Sequence, residues 1–179
     1  MKLYVVRHTR VDVPKGICYG QTDVPLADTF AEEARTIVQQ LQNIPFTHVF
    51  SSPLSRCMRL AKEISPNVTK DIRLQELNFG QWEGCPWSAI YETEAGKRWF
   101  ADYVNTRCPG GESYRDMLAR AESFLAEIPS NAQEVLLVTH AGIVRTFATL
   151  LEKNPPEEAF NRTVGYGQIT TFLRTKQAR

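Results

Sequence analysis

No charge of one sign prevails in this chain: 21 lysines and arginines meet 20 aspartates and glutamates, for a net charge of +1. That balance gives no general attraction to nucleic acid or to an anionic membrane, so any positive field must be local. No apolar run approaches the roughly 20 residues of a membrane helix. The cysteines, Cys18, Cys57, Cys85 and Cys108, form no C-x-x-C pair, and free thiols in a reducing compartment are expected of them. With a first strand expected from about Lys2, no leader is expected, and a cytoplasmic location is. Several catalytic motifs are missing as well. There is no G-x-x-x-x-G-K-[ST] phosphate loop, no cysteine followed six positions later by arginine, and no G-x-S-x-G elbow. No Cys/His spacing suits zinc and no acid cluster suits Mg²⁺.

What is present alternates between two periods. Apolar runs at Lys2 to Val6, Thr47 to Ser51, Asp71 to Leu74 and Val135 to Thr139 read as strands, and Gln168 to Arg174 reads as a final edge strand. Between them lie helical patterns. One spans about Asp28 to Gln42, with Phe30, Ala34, Ile37, Val38 and Leu41 on its apolar stripe. A second should start at Ser52 as N-cap with Pro53 in the first position, and end near Ile64. Others cover Ser113 to Ile128, Ala141 to Leu151 and, briefly, Glu157 to Arg162. Glu76 to Trp87 reads as a structured loop, and Trp87 to Asn105 as partly helical. The expectation is one domain over residues 1–179 of the α/β class: three layers, with a largely parallel sheet and helices on both faces.

Histidine is scarce, at three residues, and two of the three end strands. His8 follows Leu3-Tyr4-Val5-Val6-Arg7, and His140 closes Val135 to Thr139. Open parallel sheets bind ligands at such strand exits. The second strand delivers Ser51 and Ser52, then Arg56 one turn into its helix; the third delivers Glu76. Adjacent parallel strands would bring two imidazoles, two guanidiniums and one carboxylate to one rim. Arginines stay charged and bind phosphate bidentately, and a helix start near Ser52 would add backbone N–H groups. A phosphoryl group is the natural occupant. Arg7 and Arg56 can hold its charge, a neutral imidazole can attack phosphorus, and Glu76 can supply a proton. Taken singly, each residue has a plainer reading. A lone strand-end histidine is usually structural, Arg56 and Arg59 could both be solvated helix charges, and Glu83 competes with Glu76 from deeper in the loop. His48 is read as packed or exposed, and Trp82, Trp87 and Trp99 as packing. Arg7 and His8 are also sequence neighbours, which point to opposite faces unless the strand has ended between them.

At these residues the chain resembles the histidine phosphatase superfamily, with its phosphoglycerate mutase-like fold. Arg7-His8-Thr9 is similar to the family's R-H-G, and Ser51 to Arg56 to its S-x-x-x-R segment. Glu76-Leu77-Asn78-Phe79-Gly80-Gln81-Trp82-Glu83-Gly84 is similar to E-x-x-F-G-x-x-E-G, Pro109 to Ser113 to P-x-G-E-S, and Thr139-His140-Ala141-Gly142 to T-H-x-G. The resemblance implies His8 as the phosphorylated nucleophile, Arg7, Arg56 and His140 on the phosphoryl oxygens, and Glu76 as proton donor and later base. It implies no cofactor and no metal, a small-molecule phosphate ester as partner, and neither nucleic acid nor membrane. Within the superfamily, Gly16 to Leu26, with its C-Y-G-Q-x-D-x-P-L run, resembles the α-ribazole phosphatases of cobalamin biosynthesis, which remove a 5′-phosphate. Gln21 and Thr22 stand where such relatives touch substrate. Thr9 replaces the family glycine, and Arg10-Val11 replace a polar pair. A phosphoglycerate mutase, a broad-specificity phosphatase, a phosphohistidine or phosphoprotein phosphatase, and a non-enzymatic phospho-ligand binder are the alternatives. The stretch from Glu76 to Pro109 is short and has only Lys97, Arg98 and Arg107 as bases, which disfavours a mutase.

Overall fold

The computed structural model describes residues 1–175. Its centre is one five-stranded sheet in the order β3-β2-β4-β1-β5. β1 (Lys2–Arg7) runs parallel to β4 (Glu134–Thr139), with Val5 opposite Leu137. β2 (His48–Ser51) lies parallel to β4 on its other side and pairs with the two-residue β3 (Thr69–Lys70). β5 (Ile169–Leu173) closes the far edge antiparallel to β1.

The near-continuous apolar character of β1 and β4 follows from burial on both faces. Leu3, Val5, Val135 and Leu137 point into one core, shared with Met117, Ala121, Phe124 and Phe147. These belong to α5 (Tyr114–Glu127) and α6 (Ala141–Glu152). Tyr4, Val6, Leu136 and Val138 point the other way, against Ala34, Ile37, Leu41, Leu60 and Ala61. Those come from α1 (Phe30–Leu41) and α2 (Ser55–Ile64). Alternation along each strand thus feeds two cores, and the expected three-layer α/β arrangement with helices on both faces is the one observed. Two short helices, α3 (Trp87–Glu92) and α4 (Glu94–Ala101), follow the loop that begins at Glu76.

Two expectations fail. The third strand was expected at Asp71 to Leu74, but β3 ends at Lys70 and residues Ile72–Leu74 form a 3₁₀ turn. Asp71 accepts the backbone N–H of Arg73 at 2.8 Å, a local side-chain bond that diverts the chain from the ladder. α2 begins at Ser55 rather than behind a Ser52 cap. Ser52 still belongs to the sheet rim: its N–H donates to Val138 O at 3.0 Å, and its hydroxyl lies 2.8 Å from His140 Nε2. The N–H of Ser55 at the helix start donates to Asp23 Oδ1 at 3.0 Å, so it is engaged by protein.

Candidate active site

β1 ends at Arg7, and His8 lies one residue beyond it, so the strand's alternation no longer separates the two. The His8 N–H still donates to Thr139 O at 2.9 Å, which holds it beside the end of β4. The next residue of β4's exit is His140, first residue ahead of α6, and the two imidazole rings meet edge-on at 5.2 Å between centroids. Both rings are buried. His8 Nδ1 lies 2.7 Å from Thr9 O. A carbonyl only accepts, so Nδ1 carries the hydrogen and Nε2 keeps its lone pair. Burial, with help from Arg56 and Arg7, lowers the His8 pKa to about 3. Burial and the facing His8 and Arg56 hold His140 well below the ordinary histidine range too. Both imidazoles are therefore neutral at neutral pH.

Arg56 comes from the first turn of α2 and is fully buried. Its two terminal nitrogens donate to Gly20 O at 2.6 Å and Thr22 O at 2.8 Å, which pins the loop after β1. Arg7 Nη1 donates to Val164 O at 2.6 Å. Arg7 Nε, Arg56 Nε and Thr9 Oγ1 are all buried, yet have no hydrogen-bond partner among the described residues. Buried polar atoms are rarely left so. Arg7 and Thr9 flank His8, and the charge of Arg56 is felt at its ring, so the three atoms offer donors that would suit an oxygen-rich anion. By contrast, Arg59 is solvent-exposed and lies over the Phe30 ring. His48 starts β2, at the sheet end remote from this rim, and stacks on Phe50.

Glu76 reaches the same rim from the loop after the 3₁₀ turn. Its carboxylate accepts from Leu77 N at 2.9 Å and Gly142 N at 3.2 Å. Its backbone carbonyl accepts from Arg120 at 2.9 Å and from the Gln21 side chain at 3.0 Å. Arg120 in turn forms a bidentate pair with Glu112, at 2.8 and 3.0 Å, and Glu112 accepts the Asn78 N–H. The P-x-G-E-S stretch thus buckles the Glu76 loop to α5, while Ser113 caps that helix with Asp116.

Arg7 and Glu76 line one cleft of about 240 Å³. Its other walls include Ile17, Leu77, Phe79, Trp87, Met117 and Phe160, with Tyr19 and Arg145. Gln21 and Thr22 do not line it. The Gln21 amide holds Glu76 O, and the Thr22 hydroxyl bonds to Glu83. Glu83, the rival acid, accepts the N–H groups of Gln21, Thr22 and Phe79, and so serves as an anchor for this loop. Trp82 and Trp99 are core, as expected, whereas Trp87 is a cleft wall.

Sequence reasoning missed two contributors. Tyr166 stacks on the Arg7 guanidinium at 3.8 Å, and its hydroxyl meets that of Tyr19 at 3.1 Å. Arg145 lies one turn into α6 from Gly142 and could have been found by helical spacing from the T-H-x-G motif. Tyr166 had no such signal, because only the return of the chain before β5 brings it to Arg7. Among the described residues, no three His, Cys, Asp or Glu side chains gather as a metal site would require.

Compared with known proteins, the profile of the histidine phosphatase superfamily (branch 1) matches residues 3–179. A Hydrogenobacter thermophilus protein named "Putative phosphoserine phosphatase 2" is 29% identical over 177 residues, covering 94% of this chain and 87% of the relative. "Probable phosphoglycerate mutase GpmB" of Salmonella typhi is 33% identical over 153 residues, 78% of this chain and 69% of the relative. Among solved structures, the α-ribazole phosphatase from Shigella flexneri superposes with a TM-score of 0.89 at 23% identity, over 98% of this chain and 92% of that one, a likeness of fold.

Proposed function

The chain belongs to the histidine phosphatase superfamily, and we propose that it is a phosphomonoesterase working through a phosphohistidine at His8, with α-ribazole 5′-phosphate as substrate. One observation carries the chemistry: a neutral His8 with its Nε2 lone pair free, among buried donors of Arg7, Arg56 and Thr9 that lack partners among the described residues. His8 Nε2 attacks phosphorus in line, and the bond from phosphorus to the leaving oxygen breaks. Arg7, Arg56 and His140 hold the equatorial oxygens, where charge develops. Glu76 donates a proton to the departing alkoxide. It then takes a proton from the water that attacks phosphorus, the N–P bond breaks, and inorganic phosphate leaves.

The substrate reading is supported by the Gly16 to Leu26 run and by the cleft wall. Phe79, Trp87 and Phe160 offer aromatic surface to a planar leaving group. The stretch from Glu76 to Pro109 offers a mutase's second cationic site no side chain from Lys97, Arg98 or Arg107. None of these lines the cleft; Lys97 pairs with Glu94 and Arg107 with Asp116.

The test compares kcat/KM for α-ribazole 5′-phosphate, 3-phosphoglycerate and an aryl phosphate. A preference for the first of more than about tenfold, 1.4 kcal/mol, supports the substrate. Acid-labile phosphate on the protein, lost in His8→Ala, supports the intermediate. Substantial turnover by His8→Ala would overturn it.

A further inference from the structure

Among the described residues, Arg145 is the half-buried arginine of the cleft with no role in the phosphoryl pocket. Its Nε donates to Arg162 O at 3.0 Å, and its guanidinium carbon lies 5.2 Å from the Phe160 ring centroid. These contacts fix the group in place. Neither terminal nitrogen has a hydrogen-bond partner, and no carboxylate lies within 4.0 Å, among the described residues. The comparably half-buried Arg73, Arg120 and Arg162 each pair with a carboxylate. Burial lowers the Arg145 pKa, with the attraction of Glu76 and the repulsion of Arg7 as lesser influences. Unlike Arg7 Nε and Arg56 Nε, its unpartnered terminal nitrogens keep contact with solvent, so a ligand that fills the cleft must replace that water with acceptors of its own.

We propose that Arg145 is a specificity-determining residue that binds a pair of oxygen acceptors on the leaving alcohol of the substrate. The proposal rests on the phosphatase reading above and deepens it. Two sources share this chemistry: the vicinal hydroxyls of a sugar, as in a ribose 5-phosphate unit, and a carboxylate, as in a phosphorylated hydroxy acid. A planar two-pronged donor suits both. An ester with a purely apolar leaving group would cover Arg145 and leave its donors unsatisfied, and a site built for polar contact rejects such ligands.

The test is a selectivity ratio. For wild type, Arg145→Met and Arg145→Lys, kcat/KM is measured on ribose 5-phosphate, 3-phosphoglycerate and phenyl phosphate. The ratio of each acceptor-bearing ester to phenyl phosphate should fall about tenfold or more in Arg145→Met for one of the two, and that ester names the source. Arg145→Lys keeps the charge without the fork and should give a smaller fall. A ratio cancels the active fraction, so partial misfolding does not imitate the result. If both ratios stay within about threefold of wild type in Arg145→Met, the proposal is overturned. If that variant is inactive, unchanged ratios in Arg145→Lys overturn it. The phosphatase reading fails separately, if wild type turns over no phosphate ester.

Discussion

Gly142 leaves Glu76 the space that a side chain would take: a Cβ at position 142 would stand 2.0 Å from Glu76 Oε1. The same residue donates its N–H to the other carboxylate oxygen at 3.2 Å. Gly142→Ala should therefore move the proton donor while leaving Arg7, Arg56 and His8 in place. We expect kcat/KM on an alkyl phosphate, which reports the phosphorylation of His8 and not the later hydrolysis common to all esters, to fall by about 100-fold, the lower end of what a positioned acid contributes. p-Nitrophenyl phosphate, whose leaving group departs without a proton, should lose much less. Equal losses on the two esters would mean that the glycine serves the fold and not Glu76.

The neutral histidines predict how stability responds to pH. In the unfolded chain both titrate near 6.5; folded, His8 titrates at about 3 and His140 well below its ordinary range. Between pH 6.5 and about 3 the unfolded chain binds more protons, so the free energy of unfolding falls as pH falls. The slope reaches about 1.4 kcal/mol per pH unit for each histidine. Above pH 6.5 neither contributes. Asp71 and Asp116, both lowered below 3.8, add to the loss only at lower pH. Urea midpoints at pH 7.5, 6.5, 5.5 and 4.5 check this, and His8→Asn should remove its share of the slope. A flat profile between 6.5 and 4.5 would show that the imidazoles are protonated in the fold.

The rim itself was legible because strand-end histidines and the three-layer order follow from local periodicity. His8, His140, Arg56 and Glu76 do converge, each at the exit of its strand or soon after it. What local pattern could not give was the competition for backbone groups. Ser52 looked like a cap, but its N–H extends the sheet and its hydroxyl faces His140. Asp71 looked like a strand residue, but its side chain captures Arg73 N. Gln21 and Thr22 were expected to reach the substrate. Their positions depend on Glu83, 62 and 61 residues away, which binds the N–H groups of both. Such long-range partners leave no periodic trace.

Thr9 carries a fully buried hydroxyl without a partner among the described residues, where relatives are expected to have glycine. Thr9→Val keeps the shape and deletes the hydroxyl. The free protein should become more stable by about 1 kcal/mol, because an unsatisfied buried group is removed. If Oγ1 donates to a phosphoryl oxygen, affinity for phosphate should fall about fivefold or more in the same variant. Thermal melts with and without phosphate read both effects, and their opposite signs separate them. A variant that gains stability and binds phosphate as before would assign Thr9 no part in binding.

Tyr166 extends the anion pocket in a way that can be separated into ring and hydroxyl. Its ring packs 3.8 Å from the Arg7 guanidinium and 5.7 Å from the His8 ring, while its hydroxyl reaches Tyr19. Among the described residues Arg7 has otherwise one side-chain hydrogen bond, to Val164 O, so the stack is what limits its motion. A cation over an aromatic face is worth about 0.5–2 kcal/mol, more as water is excluded. Tyr166→Leu should therefore raise the inhibition constant of inorganic phosphate by about 2- to 30-fold, through an Arg7 no longer held ready. Tyr166→Phe keeps the ring, and should stay within about twofold of wild type. Phosphate inhibition against p-nitrophenyl phosphate measures both. If the phenylalanine variant loses as much as the leucine one, the bond between the Tyr19 and Tyr166 hydroxyls positions Arg7, and the ring does not.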